Sequence, residues 1–330
     1  MKTFKVTIDV SCCISHFGAD VPGIGVENVM EWLHSDTLFS ALVHGWARTK
    51  GFEKTEKMIS GFTEANHDFP FRISSAFLAT GDLHFVPKPL CPLPGGAVSS
   101  VAHKVKFISQ ENLYKWLGLT TVDWEKELTA FENSLEHDAG IYQSCFLSQV
   151  RAVNAKDRVY AQTQVYHRGE TIYTEGTKLY FYADVHADYE DDFFDILNFV
   201  VEYAGFGGEI NIGFSHFNGV TWEEMQPQTR PERSQQHYLL SLCSIPTNTD
   251  WNSAYYDVLT RKGWFNSPFH GTQLKKKSVK FLTEGSVLPG NPGSGKLINV
   301  TPGEWQKEKG ETTNWHPIYR NGIGYFLPFG

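Results

Sequence analysis

The chain has 330 residues, of which 41 % are apolar and 14 % aromatic, and its 29 Lys and Arg against 37 Asp and Glu give a formal net charge of −8. The length favours two domains with real cores, and the acidic balance argues against a free-standing nucleic-acid binder, which normally carries a basic excess. A local basic groove, or an RNA shared with more basic partners, remains compatible with it. Five cysteines without a C-x-x-C pair offer neither a disulfide framework nor a zinc knuckle and fit a reducing, cytoplasmic setting. The N-terminus lacks the apolar run of a signal peptide, and no run approaches a membrane span.

Residues 3–10 alternate as a half-buried strand, with Phe4, Val6, Ile8 and Val10 on one face. After a loop from Ser15 through Gly25, Ser35 reads as the N-cap of a helix. Asp36 suits the first turn, and Leu38, Leu42, Val43 and Trp46 share the apolar stripe. Such a polar helix start either simply caps or meets RNA phosphate. Segments 69–73 and 77–78 read as extended, and Pro87 and Pro89 force 84–89 to a sheet edge or out of the sheet. A strand over 104–108 and a short helix over 110–117 follow. Residues 120–140 are charged and weakly helical, and the pattern gives them no place in a core.

The stretch 149–158 is polar and basic, and two strand-like runs, 159–166 and 177–185, flank the polar segment 167–176. This reads as a protruding hairpin, either merely exposed or in contact with RNA. Acidic residues 188–192 then open a helix with Phe193, Ile196, Leu197, Val200 and Ala204 at helical spacing. Gly205, Gly207, Gly208 and Gly213 follow, and 214–222 reads as a strand. Four close glycines imply a sharp turn or a backbone lying against something. A dinucleotide fold or P-loop needs strand, loop, helix, so that the helix N-terminus faces the phosphate; here the order is reversed. The segment is therefore either a helix C-cap with a tight turn, or a loop that grips RNA by backbone N–H groups and neighbouring side chains. The element order is βαββαβ with insertions, an α+β, ferredoxin-like unit.

Residues 226–236 are polar, contain two prolines and read as a linker. Beyond them come a strand over 237–243, a helix over 251–259, and the lysine triplet Lys275, Lys276 and Lys277, which is either a solvated face or an RNA contact. Strands over 278–282 and 296–300 enclose a Gly/Pro-rich loop, 285–295, and the closing 316–327 is strand-like. There is no H-E-x-x-H, G-x-S-x-G or Walker A spacing, so no catalytic or metal-binding residue is expected. His16 is the best placed residue for acid–base work on a 2′-OH, as a nuclease would need. A loop histidine is otherwise structural.

An ordered set of segments carries a resemblance that runs from residue 3 to 328. It comprises 35–42 (SDTLFSAL), 69–71 (FPF), 86–89 (VPKP), Gly205-Phe206-Gly207-Gly208 with Gly213-Phe214 and Phe217, Gly285-Ser286, and 317–322 (PIYRNG). In this the chain resembles the RAMP superfamily, and within it subunit four of the Csm complex, the type III-A CRISPR effector. The resemblance implies two ferredoxin-like (RRM-like) domains with a protruding β-hairpin thumb. Their bounds would be 1–225, with the thumb near 149–176 and the glycine-rich loop at 205–213, a linker at 226–236, and 237–330.

It also implies a non-catalytic, cytoplasmic subunit without cofactor that caps the 5′ tag of crRNA. Such a subunit docks on the large palm-polymerase subunit, neighbours a backbone RAMP subunit, and wedges its thumb near the target RNA at the first guide bases. The capping subunit of the type III-B complex is a near equivalent, and the alternative is a metal-independent crRNA-processing endoribonuclease of the same superfamily with His16 as acid or base. The tag-contacting residues carried over by position are His16, Phe17, Ser35, Thr37, Lys88, and Gly205, Phe206, Gly207, Gly208, Asn211, Gly213 and Phe214. Splayed single-stranded nucleotides need backbone donors and stacking faces, which Phe17, Phe206, Phe214 and Tyr319 offer. Glu209 departs from the basic, serine-rich run usual in the family loop and repels phosphate. Either the loop therefore meets RNA through backbone and Asn211 alone, or the phosphate grip moves to Arg151, Lys156, Arg158 and Lys88, with Asn154 on the same stretch.

Overall fold

A computed structural model describes residues 1–18, 27–63, 69–156, 163–226, 235–247, 249–265, 274–310 and 315–330. The first strand, β1 (Lys2–Asp9), buries Phe4, Val6 and Ile8, as its alternation predicts. Three two-residue strands follow, β2 (Ile14–Ser15), β3 (Phe17–Gly18) and β4 (Val29–Met30). Then come α1 (Ser35–Lys50), α2 (Phe52–Thr63), β5 (Phe71–Ile73), β6 (Phe77–Thr80), β7 (Leu83–Pro87), β8 (Phe107–Ser109) and α3 (Gln110–Trp116). The larger elements after them are α4 (Trp124–Ser144), β9 (Phe146–Lys156), β10 (Thr163–Tyr173), β11 (Thr177–Val185), α5 (Glu190–Phe199) and β12 (Gly219–Met225).

A seven-stranded sheet runs in the order β12-β1-β11-β6-β7-β8, with β5 also paired to β11. Its pairings are antiparallel, and Val6 of β1 lies between Phe181 of β11 and Trp222 of β12. Helices α1 and α5 pack on one face, where Phe71 meets Trp46 and Phe193 and Phe4 meets Phe194 edge-on at 4.9 Å. Gly45 lets the two helices close up, because a Cβ there would stand 2.5 Å from Val200 Cγ2.

Several expectations change. Residues 120–140 belong to a 21-residue helix, α4, whose buried Phe131, Leu135, Asp138 and Tyr142 recur every three or four residues. Tyr142 stacks on Phe107 at 4.4 Å, and Asp138 accepts from Ser109 N–H and Asn112 Nδ2, each at 2.7 Å. The hairpin is formed by β9 and β10, paired from Lys156↔Thr163 to Phe146↔Tyr173. Residues 167–173 are therefore strand, and β11 lies inside the large sheet because it is apolar on both faces. The strand expected over 214–222 starts at Gly219, since Phe214 and Ser215 are held by the glycine loop.

Beyond residue 235 the described residues form small antiparallel sheets. One joins Val287–Pro289, Gln236–Leu239 and Phe326–Phe329, and another joins Cys243–Ser244, Val279–Leu282 and Val258–Arg261. Among the described residues of this half, the one α-helix is Gly303–Lys307. The helix expected over 251–259 is a single 3-10 turn, Trp251–Ser253, followed by the strand Val258–Arg261. Asp250 starts that turn by accepting from Asn252 N–H at 3.1 Å, and the β-branched Val258 and Thr260 favour the strand.

Candidate nucleic-acid interface

The glycine loop begins where α5 runs into a π-helical turn, Val200–Ala204. Gly205 ends that turn at φ 75°, with its N–H on Val200 O at 2.8 Å, so the helix C-cap reading holds. The next residues lie against the segment 14–17. Gly208 N–H donates to His16 O at 3.0 Å, and Ser215 N–H donates to Ile14 O at 2.8 Å. A Cβ on Gly207 would stand 2.8 Å from His16 O, and one on Gly208 2.7 Å from His16 Cδ2. Glycine is required here because two backbones touch and because Gly207 has φ 73°.

His16 itself is 8 % exposed, and its Nδ1 sits 2.8 Å from Gly169 O on β10. The segment 14–18 thereby links the glycine loop to the base of the β9–β10 hairpin. Phe17, Phe206 and Phe214 are buried; Phe206 stacks on Phe217 at 5.9 Å and Phe17 meets Phe217 edge-on. Their rings form the floor of the loop instead of stacking faces. The exposed part is Gly207 and the end of the 3-10 turn Ile210–Ile212 with Gly213, where Asn211 is open and Ile212 is 57 % exposed.

Glu209 does not face outward as a bare charge. It takes a left-handed conformation at φ 58°, and its carboxylate lies 3.4 Å from Arg168 Nη1. Arg168 is buried, sits over the Phe214 ring at 4.5 Å, and also faces Glu170 at 3.6 Å. Glu170 in turn holds Arg151 Nη2 at 2.9 Å and Gln149 Nε2 at 2.6 Å. Arg168 is the residue that sequence reasoning missed. The available signal was its strand register with Glu170, two residues apart on one face.

On the hairpin, Arg151 keeps 58 % of its side chain exposed, and Asn154 is exposed opposite Val165. Lys156 ends β9 opposite Thr163, and Arg158 lies outside the described residues. Three other candidates lie elsewhere. Lys88 Nζ donates to Ala102 O at 2.5 Å, which holds it against a neighbouring loop. Ser35 and Thr37 lie where α1 meets the second half of the chain. The cap residue is His34, and Ser35 is fully buried with its Oγ accepting from Leu242 N–H at 3.0 Å. Thr37 Oγ1 accepts from Arg261 Nη2 at 2.9 Å. Asp36 accepts from Arg261 and from Arg320, so the helix start already holds a charge network of the chain's own. Beside it, His34 Nδ1 is 2.9 Å from Glu284 Oε1, which also accepts from Ser75 Oγ. Burial alone would pull the His34 imidazole down, but Glu284 outweighs it and holds the ring above its ordinary value. Burial pushes Glu284 up, yet His34 and Ser75 outweigh that and hold it low.

Among the described residues no cluster of three His, Cys, Asp or Glu could hold a metal ion, and no helix is long and apolar enough to cross a membrane.

Residues 232–329 match the family model of the CRISPR Csm4 C-terminal domain. The chain is 24 % identical over 270 residues to the CRISPR system protein Csm4 of Thermococcus onnurineus, which covers 81 % of this chain and 85 % of the relative. It is 23 % identical over 366 residues to the Csm4 of Methanocaldococcus jannaschii, covering 95 % and 94 %. Residues 232–329 thus carry the Csm4 C-terminal family signature, and the chain as a whole is similar to Csm4 proteins. Its fold agrees with that of solved Csm4 complexes. A Csm3–Csm4 subcomplex of the type III-A CRISPR-Cas interference complex aligns with TM-score 0.66 at 19 % identity over the whole of both chains. A Csm1–Csm4 cassette with cA4 aligns at 0.59 and 18 %, covering 99 % of this chain and 98 % of the other. The Csm4 similarity therefore covers both halves, including the loop and hairpin built above.

Proposed function

We propose that this chain is a non-catalytic, cytoplasmic subunit of a type III-A CRISPR effector that holds the 5′ tag of crRNA. The observation that carries this is the meeting of three backbones: the glycine loop, the segment 14–17, and the base of a hairpin that presents Arg151 and Asn154 outward. Such a surface offers an open turn and a basic strand face to splayed nucleotides, as single-stranded RNA recognition requires. Glu209 is neutralised within the chain, which supports loop contact through Asn211 and the backbone around Gly213.

The architecture we infer is ferredoxin-like in the first half. The antiparallel order β12-β1-β11-β6, with α1 after β1 and α5 before β12, supports it. The β9–β10 hairpin is read as the thumb near the first guide bases, and the half beyond residue 235 as a reduced second domain. The Csm3–Csm4 and Csm1–Csm4 assemblies support docking on a backbone RAMP subunit and on the large polymerase-like subunit. The burial of His16 and its bond to Gly169 O support a structural histidine over an endoribonuclease acid or base.

Ultraviolet crosslinking with peptide mass spectrometry, on the complex purified after co-expression with a CRISPR array, tests the proposal. Crosslinks from the first crRNA nucleotides to 149–154, 163–168 or 209–214 are expected. A complex that carries crRNA but shows no crosslink from its 5′ end to this chain refutes the capping role.

A further inference from the structure

The chain is acidic overall, yet residues 258–282 contain six Lys and Arg and no carboxylate. Within this stretch the strands Trp264–Phe265 and Leu274–Lys275 pair antiparallel as a small ribbon, with Trp264 directly opposite Lys275. The alternation sorts the ribbon into two faces. Phe265 turns inward to a small cluster with Val300, Trp305 and Ile318, against which Leu274 and Val279 also pack. Trp264 turns outward, 55 % exposed, with the Lys275 ammonium 5.1 Å from its ring centroid.

The lysines around Trp264 are placed by backbone bonds. Lys276 N–H donates to Gly263 O and Lys277 N–H to Val300 O, each at 3.0 Å. Lys280 stands opposite Thr260 on the adjoining strand pair and is exposed, as is Lys262. Among the described residues, none of Lys262, Lys275, Lys277 and Lys280 makes an ion pair. Behind them, burial first, and then the Arg320 and Arg261 guanidiniums against an opposing Asp36, pull the Lys276 ammonium down to about 8. Lys309 over Trp315 at 5.2 Å adds a second lysine–tryptophan pair beside the same cluster.

We propose that this ribbon is a second single-stranded nucleic-acid contact, in which Trp264 stacks on a base while Lys275, Lys277 and Lys280 hold the flanking phosphates. Stacking with cationic phosphate contacts is the sequence-tolerant mode of single-strand binding. The proposal shares no residue with the glycine loop or the hairpin and does not rest on the capping role.

The test is fluorescence anisotropy of the full chain with an end-labelled oligouridylate across a salt series. The triple variant Lys275→Gln/Lys277→Gln/Lys280→Gln is expected to bind at least about tenfold more weakly and to flatten the log–log salt slope by about 2, at about 0.7 per phosphate on a single strand. Trp264→Ala is expected to weaken binding about 5- to 100-fold with the slope unchanged. The triple Lys→Arg variant, with equal melting temperature, restores affinity. Affinity and slope unchanged in the Gln variant overturn the proposal. So does a lysine effect with no Trp264 effect, which marks diffuse charge instead of a stacking site. Ribbon variants that bind RNA normally but lose a co-purified protein overturn it in favour of an acidic protein partner. Arg151→Ala, measured in parallel, reports separately on the hairpin.

Discussion

Asp36 and Arg261, 225 residues apart in sequence, are joined by two parallel hydrogen bonds of 2.9 Å at the start of α1. The bidentate pairing is the strong geometry for an arginine and a carboxylate, and both side chains are buried. Arg320 approaches the same carboxylate from the chain's closing segment. Asp36→Asn leaves two buried guanidiniums facing each other without their counter-charge. The expected loss is about 3–5 kcal/mol of unfolding free energy, in the range for breaking a buried pair from one side. Urea unfolding of the full chain measures it, and a change below about 1 kcal/mol would show that the network relaxes or hydrates freely.

The neighbouring His34–Glu284 pair makes stability depend on pH in a defined direction. His34 is raised above its ordinary 6.5, so its contribution is fully present below about that pH and is lost as pH rises through the folded value. Glu284 is depressed below its ordinary 4.5, so its contribution is present above that and is lost as pH falls. The melting temperature is therefore expected to decline on the alkaline side of pH 6.5. His34→Gln should flatten that alkaline decline; a variant with the wild-type slope would assign the dependence to other groups.

The glycines of the loop are not equivalent. Gly207→Ala places a methyl against His16 O at a positive φ and is expected to destabilise by about 1–3 kcal/mol and to loosen the loop. Gly213 also has a positive φ, 93°, but nothing lies within 4 Å of a Cβ there. Gly213→Ala is expected to cost about 1–2 kcal/mol, from backbone strain alone, and less than Gly207→Ala. Thermal melts of the two variants side by side distinguish close approach from simple turn geometry.

Arg151 and Arg168, opposite each other on the hairpin, should separate binding from folding. Arg151 is largely exposed, so Arg151→Ala is expected to lower RNA affinity and reduce the salt slope by about 0.7 with little change in melting temperature. Arg168 is buried between Glu170, Glu209 and Phe214, so Arg168→Ala is expected to unfold the foot of the hairpin first. Limited proteolysis within 146–173 reads the second effect. Equal behaviour of the two variants in both assays would contradict the division.

Much of the first half was legible because its strands and helices bury one face each. Phe4, Val6 and Ile8, or Leu38, Leu42 and Trp46, announce themselves by period. The α4 stripe was hidden by the charges around it and by Asp138, a carboxylate in a core position that caps the start of α3. Strand β9 showed no alternation because 147–154 is largely solvated on both faces, while β11 is apolar on both. The turn from helix to glycine loop could be read locally, and so could the close approach at Gly207 and Gly208. Ser35 and Thr37 could not, because their partners, Leu242 and Arg261, lie more than 200 residues away. Residues near a helix start look alike whether they bind a ligand, water or the chain's own distant half.

The crossing at Gly45 gives α1 a mechanical role. The helix is a rod of about 24 Å at 1.5 Å per residue, clamped at its first turn to the second half through Asp36 and pressed at Gly45 on Val200, where the π-helical turn begins. That turn ends at Gly205. A load applied to the small sheets beyond residue 235 therefore has a stiff route along α1 to the start of the glycine loop, beside the bonds that Tyr238 and Tyr325 make directly to the seven-stranded sheet.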